Sequence, residues 1–380
     1  MRIMGSAHGR LILIVLLLSV LCAPNGAGAD TIDGLIADMS LHEKVCQLFF
    51  VQPEQFSRID RVTAPSNKLR RAFERFPVGG IILFPENMKN AGAVTKLTGA
   101  MQEYAVKARG IGLLIGADEE GGGVSRVAAK LKLAEKQPYA AEIGATGDRD
   151  RAREMGSVIG GYLKPLGFNL DFAPVCDVRA PVKNAEIKNR AFSDDAETAA
   201  RMAAAFAEGL MASGVMGVAK HFPGHGAVSG NTHGGPGISK KTPDEWRAVD
   251  LKPFQAVIDG GIGMVMISHQ VAPDAGIKDP ASLSPAVVTG LLRGEMGYDG
   301  VVITDALRMA AVRGDYGTGR ACVMALEAGC DMLLLPYNFT NAYNAVMKAV
   351  KEGRLTEERI DRSVRRVLQL KYSAGLITGP

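Results

Sequence analysis

The sequence predicts an α/β protein built as one (β/α)8 barrel, and three observations carry that prediction. Eight short apolar runs recur between Leu48 and Leu335, rich in Ile, Leu and Val. They lack strict alternation, the pattern of strands buried on both faces. Amphipathic stretches separate them, and strand-then-helix units repeated in one order point to a parallel barrel. Charged residues collect directly behind the runs, at positions that share one rim in a barrel. An open doubly wound sheet usually carries a Gly-x-Gly-x-x-Gly turn after its first strand, and none follows Val51.

Taken in order, the chain begins with a segment that the sequence sets apart from the fold. Arg2 and Arg10 are basic, Leu11 to Leu21 is almost continuously apolar, and Ala27-Gly28-Ala29 offers a cleavage site before Asp30. This three-part pattern is that of a secretory signal over residues 1–29. Its apolar run is short for a membrane span, which needs ~20 residues. Export to the periplasm or medium is the expectation, with no span after cleavage. A lipid anchor on Cys22 is the weaker alternative, because Leu21 sits where a small residue would stand.

The mature chain, 30–380, reads as one domain. Its predicted strands are Leu48–Val51, Gly80–Phe84, Gly112–Ala117, Phe168–Ala173, Gly214–Lys220, Gly263–Ser268, Gly300–Thr304 and Asp331–Leu335. Helical patterns include Ala196–Ser213 and Pro243–Asp259. A last helix follows Thr356, a suitable N-cap, with Glu357 and Glu358 at the positive end of the helix dipole. Ile360, Val364, Val367 and Leu368 share one face of it.

Composition narrows the function classes. Charged residues make up 22% of the 380 and hydrophobic residues 47%, which argues against disorder. The net charge of +4 and the lack of a basic stripe give no reason to expect a nucleic-acid partner. Apart from Cys22, the cysteines Cys46, Cys176, Cys322 and Cys330 show no CxxC spacing and read mostly as buried free thiols. Oligomeric state is open.

The chemistry-bearing residues follow the strands. Asp118, Glu119 and Glu120 follow the third, Asp171 and Asp177 flank the fourth, and Lys220 and His221 end the fifth. His269 follows the sixth and Asp305 the seventh. A lone Asp at a strand end commonly caps the next helix, but charged residues behind five consecutive strands make that account weak for the group. Three of the six histidines, His221, His225 and His233, lie in one Gly-rich stretch behind the fifth strand. A flexible loop with an imidazole suits proton transfer near neutral pH. The same histidines leave zinc hydrolysis as an alternative. The spacing is not HExxH, however, and Lys220 would set a positive charge beside the metal. No metal or cofactor is expected.

The stretch Lys220-His221-Phe222-Pro223-Gly224-His225-Gly226 resembles the signature of family 3 glycoside hydrolases, in particular their bacterial β-N-acetylglucosaminidase (β-N-acetylhexosaminidase) branch. Further segments resemble the family in order: Met39–Phe49, Asp118–Arg126, Asn189–Phe192, Val301–Met309 and Glu358–Leu376. The resemblance implies a carbohydrate substrate and retaining hydrolysis of terminal β-linked N-acetylhexosamine, with peptidoglycan fragments as the expected source. It implies Asp305 as nucleophile and His233 as acid/base, a departure from the usual carboxylate pair. Asp118, Arg126, Arg190, Lys220 and His221 would hold the sugar hydroxyls. Other members of the family are β-glucosidases or xylosidases, which usually take the acid/base from a second domain. A sugar-binding protein without catalysis is a further alternative.

The sequence departs from the family's pattern at three places. Asn231 stands where an Asp would orient and charge-stabilise His233, so a less basic imidazole is expected. Glu119 replaces a Gln and Gly123 an Arg, with expected consequences for substrate preference.

Overall fold

The structure is a computed structural model that describes residues 26–133, 137–180, 184, 186–229, 235 and 237–377. Eight parallel strands form one sheet, each followed by helix. They are β1 (Phe49–Val51), β2 (Gly80–Ile82), β3 (Leu114–Ala117), β4 (Leu170–Asp171), β5 (Met216–Phe222), β6 (Met264–Ile267), β7 (Val301–Thr304) and β8 (Leu333–Leu334). β8 pairs with β1 through Phe49↔Leu333. The remaining seam, β7 to β8, is closed by the parallel bridge Ile303↔Met332 and by the Thr304 N–H donating to the Met332 carbonyl. The predicted barrel and its strand order are therefore what the chain adopts. The strands are mostly shorter than the apolar runs, but β5 runs beyond the predicted end to Phe222, so Lys220 and His221 lie within it.

The non-alternating apolar runs have a direct cause. Both faces of each strand are buried, in different cores. Phe50, Ile82, Leu114, Leu170, Val218, Met264, Met266, Val301 and Ile303 fill the barrel interior. Their neighbours Phe49, Val51, Ile81, Ile115, Ala219, Val265 and Val302 face the surrounding helices. Successive residues point to opposite faces, so a barrel strand needs apolar residues at every position. Phe50 fills the interior so fully that a Cβ on Gly80 would come within 2.3 Å of its ring. Glycine is required at that close approach.

The helices match their sequence signals. Helix α1 (Ala196–Ala212) begins at Asp195, whose carboxylate accepts the Thr198 N–H. The predicted helix 243–259 is continuous but uneven, with a wide turn at Trp246–Asp250 ahead of Leu251–Asp259. Pro253 has no N–H to give to the preceding turn, which accounts for the irregularity. Helix α2 (Glu357–Ser373) starts behind Thr356, which accepts the Arg359 N–H, and buries Ile360, Val364, Val367 and Leu368 as expected. Its Val367 and Leu370 reach the interior cluster and floor the barrel. A helix at Gly26–Asp38 takes in Ala27–Ala29. Residues 1–25, with the rest of the expected signal and Cys22, lie outside the described residues. Cys46, Cys176, Cys322 and Cys330 are buried free thiols.

The barrel floor holds one buried amine. Lys371 is fully buried and its Nζ donates to Gln47 Oε1 at 2.7 Å. Burial pushes its pKa down from 10.5 to about 7. Between those values the unfolded chain binds a proton that the folded chain does not, so this group makes stability rise with pH across that window. Relative to a Lys371→Met variant, the native chain should gain about 2 kcal/mol from pH 7 to pH 9. Denaturant titrations of both chains at the two pH values would show it, and parallel pH profiles would refute it.

Candidate active site

The rim at the C-terminal ends of the strands gathers the charged residues. After β3 the chain turns into an antiparallel ribbon, Glu119–Gly121 with Val124–Ser125. The two-residue period of an extended chain separates its acids. Asp118 and Glu120 face the mouth, where both meet Lys220. Glu119 faces away. Its carboxylate accepts the Val127 and Ala128 N–H groups, at 2.6 and 3.2 Å, and the Tyr162 hydroxyl at 2.8 Å. It caps the short helix Arg126–Leu131, so its expected influence on substrate preference is not supported by its position. At Gly123, a Cβ would lie 3.2 Å from the Tyr139 hydroxyl, so Tyr139 already fills space beside that position.

Glu120 is the centre of the ion network. Arg190 forks it, Nε to Oε2 and Nη2 to Oε1, both at 2.7 Å. Lys220 Nζ reaches Glu120 Oε1 at 2.6 Å and Asp118 Oδ1 at 2.9 Å. Burial alone would raise the Glu120 pKa. Arg190 and Lys220 outweigh it and hold the carboxyl well below the usual range. Burial likewise opposes the Lys220 charge, but Asp118 and Glu120 keep its pKa above the ordinary lysine value. The charges are mutually compensated and fixed before any ligand arrives.

Asp177 organises the next layer. Its Oδ2 accepts the His221 Nδ1–H at 2.8 Å, and its Oδ1 accepts the His225 backbone N–H at 2.6 Å. A carboxylate only accepts, so Nδ1 of His221 carries the proton. Its Nε2 lies 3.5 Å from Arg190 Nη2. Gly226 is required where the loop passes the β4 segment, because a Cβ there would fall 1.8 Å from the Val178 carbonyl oxygen.

Asp305 follows β7 and is partly exposed. Its backbone N–H donates to the Ile267 carbonyl at 2.8 Å, and its Oδ1 accepts the Ala306 N–H at 2.7 Å. Its Oδ2 carries no hydrogen bond among the described residues. Burial would raise its pKa, but His269, His221, the Ala306 N–H and Lys220 together hold it below the ordinary aspartate value. His269 donates from Nε2 to the Ala306 carbonyl at 3.1 Å, and its Nδ1 accepts from the Ser282 hydroxyl at 2.7 Å. Burial lowers the His269 pKa, which favours the neutral ring.

The structure thus joins Asp118, Arg190, Lys220 and His221 in one network that also faces Asp305. Arg126 is different: its backbone N–H donates to the Asp118 carbonyl at 3.2 Å, while its side chain is exposed and unpaired among the described residues. Asn231 and His233 lie outside the described residues. Their loop has a fixed base, because Ser229 and Ile238 exchange backbone hydrogen bonds at 2.9 and 3.0 Å. The Val271 N–H also donates to the Gly237 carbonyl at 2.9 Å, which ties the base to the β6 loop that carries His269. Among the described residues, no group of His, Cys, Asp and Glu is arranged to hold a metal ion.

Glu120 and Asp177 stood out in sequence only as acids near strand ends. The alternation Asp118-x-Glu120 was the available signal that both face one side. Arg308 had no such signal. Its Nη1 donates to Gln52 Oε1 at 2.6 Å and its guanidinium lies over the Phe84 ring, 5.1 Å from the centroid.

Comparisons with known proteins identify the family of the whole chain. The profile described as "Glycosyl hydrolase family 3 N terminal domain" matches residues 40–370. β-Hexosaminidase LpqI of Mycobacterium tuberculosis is 33% identical over 351 residues, 89% of this chain and 84% of that protein. β-Hexosaminidase A of Pseudoalteromonas piscicida is 31% identical over 345 residues, 84% of this chain, but the match spans only 57% of its length. A family 3 β-N-acetylglucosaminidase structure from Paenibacillus sp. superposes with a TM-score of 0.83 at 36% identity. That superposition covers 90% of this chain and 64% of the other.

Proposed function

The chain belongs to glycosyl hydrolase family 3, and from that membership we propose that it is a retaining β-N-acetylhexosaminidase that releases terminal non-reducing N-acetylglucosamine. The observation that carries this reading is the placement of Asp305. An ionised carboxylate, its Oδ2 unpaired among the described residues, stands on the same rim as a prearranged set of charged groups able to bind hydroxyls, Asp118, Arg190, Lys220 and His221.

In the proposed reaction Asp305 attacks the anomeric carbon as the glycosidic bond breaks, and His233 gives its proton to the leaving oxygen. A covalent glycosyl-enzyme forms. His233 then takes a proton from water, whose oxygen attacks the same carbon and releases Asp305. Two displacements retain the β configuration. Charged donors bind hydroxyls more strongly than neutral ones, and fixed dipoles near the developing charge need no reorganisation. The signal-like N-terminus supports an exported enzyme, for which peptidoglycan fragments are the proposed source of substrate.

Release of p-nitrophenol from its β-N-acetylglucosaminide tests the activity, and comparison of chitobiose with muropeptides tests the source. Failure to hydrolyse the nitrophenyl glycoside would sink the reading. The same assay tests the loop. Asn231 brings no charge to His233, whereas a carboxylate within ~4–6 Å raises an imidazole pKa by roughly 1–3 units. Asn231→Asp should therefore be faster near neutral pH, with the limb of its pH–rate profile set by loss of the His233 proton moved to higher pH. His233→Ala should lose most turnover. If Asn231→Asp shows neither change, the pairing of residues 231 and 233 is refuted.

A further inference from the structure

The rim is uneven, and its low side carries a second polar cleft. β4 and β5 are followed by the long connections 172–195 and 223–242, whereas β8 is followed only by 335–338, and β1 by Gln52, the short helix Pro53–Ser57 and the loop 58–66. A cavity of about 570 Å³ opens in this low sector, lined by Gln55, Arg58, Tyr337, Thr340, Asn341 and Asn344, among others. By strand direction it lies on the same face of the barrel as Asp305.

Its lining differs from an ordinary solvated surface. Tyr337 is 59% exposed, although large hydrophobic side chains are exposed at few of the described positions. Arg313 covers one side of its ring, 4.9 Å from the centroid. The hydroxyl of Tyr337 and the side chains of Arg58, Thr340 and Asn344 make no hydrogen bond or ion pair among the described residues. An aromatic ring beside unengaged amide, hydroxyl and guanidinium groups matches a pyranose, whose C–H face is apolar and whose edge is hydroxyls. Tyrosine supplies both contacts at low entropic cost.

The cleft is also connected to the nucleophile's loop. Arg308, three residues beyond Asp305, donates to Gln52. The Gln52 backbone N–H donates to Gln55 Oε1 at 2.9 Å, and Gln55 Nε2 donates to the Pro336 carbonyl beside Tyr337. These hydrogen bonds link the loop of Asp305 to the lining of the cleft.

We propose that this Tyr337 cleft is an accessory saccharide subsite that binds a further sugar unit of a β-linked amino-sugar oligosaccharide whose terminal residue occupies the mouth. The inference rests on the hexosaminidase reading. In this reading the terminal sugar fills the mouth, and only a longer oligosaccharide extends over that side of the rim to the cleft.

The test uses the whole chain with p-nitrophenyl β-N-acetylglucosaminide and the β-1,4-linked N-acetylglucosamine tetrasaccharide. Tyr337→Ala and, separately, Asn344→Ala should each lower the ratio of kcat/KM for the tetrasaccharide to that for the nitrophenyl glycoside. The expected drop is about 10-fold for Tyr337→Ala, mostly through KM. An unchanged ratio in both variants overturns the subsite. Calorimetric titration of the tetrasaccharide into Asp305→Ala, with and without Tyr337→Ala, separates the two claims. Absence of turnover in the native chain counts against the hexosaminidase reading. Equal tetrasaccharide affinity in the two titrated variants, or no binding in either, counts against the cleft.

Discussion

Asp305→Ala is expected to reduce turnover by at least about 10,000-fold, the scale seen when a covalent nucleophile is removed. The other acids of the rim cannot replace it. Glu120 is forked by Arg190 and bound by Lys220, so its electron pairs are committed and its charge neutralised. Asp118 shares Lys220. Asp177 is buried behind His221 and the His225 backbone. Only Asp305 combines partial exposure, a lowered pKa and an oxygen without a hydrogen bond among the described residues. The fold should survive, because the side chain accepts one local N–H while the backbone link to Ile267 remains. Loss of one such hydrogen bond costs about 1 kcal/mol. Kinetics with the nitrophenyl glycoside, alongside a thermal melt, give both quantities. Activity within 10-fold of native in a folded Asp305→Ala chain would remove this residue from the proposed mechanism.

Glu120→Gln should be the most damaging single change to stability at the rim, and should abolish activity as well. Glu120 is 5% exposed and bonded to two cations. An amide of the same shape can still accept from Arg190 through its oxygen, but it presents an N–H₂ or a neutral oxygen to Lys220. The buried Lys220 and the half-buried Arg190 then lack their shared counter-charge. Breaking a buried pair from one side typically costs about 3–5 kcal/mol. The pH dependence has a defined sign. The folded pKa of Glu120 is depressed, so its stabilisation is present above the unfolded value of about 4.3 and is lost as pH falls through the folded value. Chemical denaturation from pH 3 to pH 7 should therefore show a shallower acid loss in Glu120→Gln than in the native chain. Equal midpoints at pH 7 would refute the assignment of Glu120 as the network's centre.

The barrel was legible in the amino-acid pattern alone. Its strands are short and buried on both faces, so all eight left continuous apolar runs, and helix α2 left a capping residue and a periodic face. Those signals are local, set by side-chain period and by backbone groups a few residues apart. The order Asp118, Lys220, His221, Asp305 behind successive strands was legible for the same reason: a parallel barrel places every strand's end on one rim. Which of those groups share a charge was settled by the closed fold. Glu120 meets Arg190 across 70 residues of chain and Lys220 across 100; no period links such positions. Glu119 turned toward Tyr162, and Asp177 became the anchor of His221, because those choices depend on what lies opposite after closure. The Tyr337 cleft belongs to the same category. Its polar residues look like ordinary surface positions in sequence. Only the closing of β8 against β1 brings Gln55 and Arg58 beside Tyr337 and Asn344.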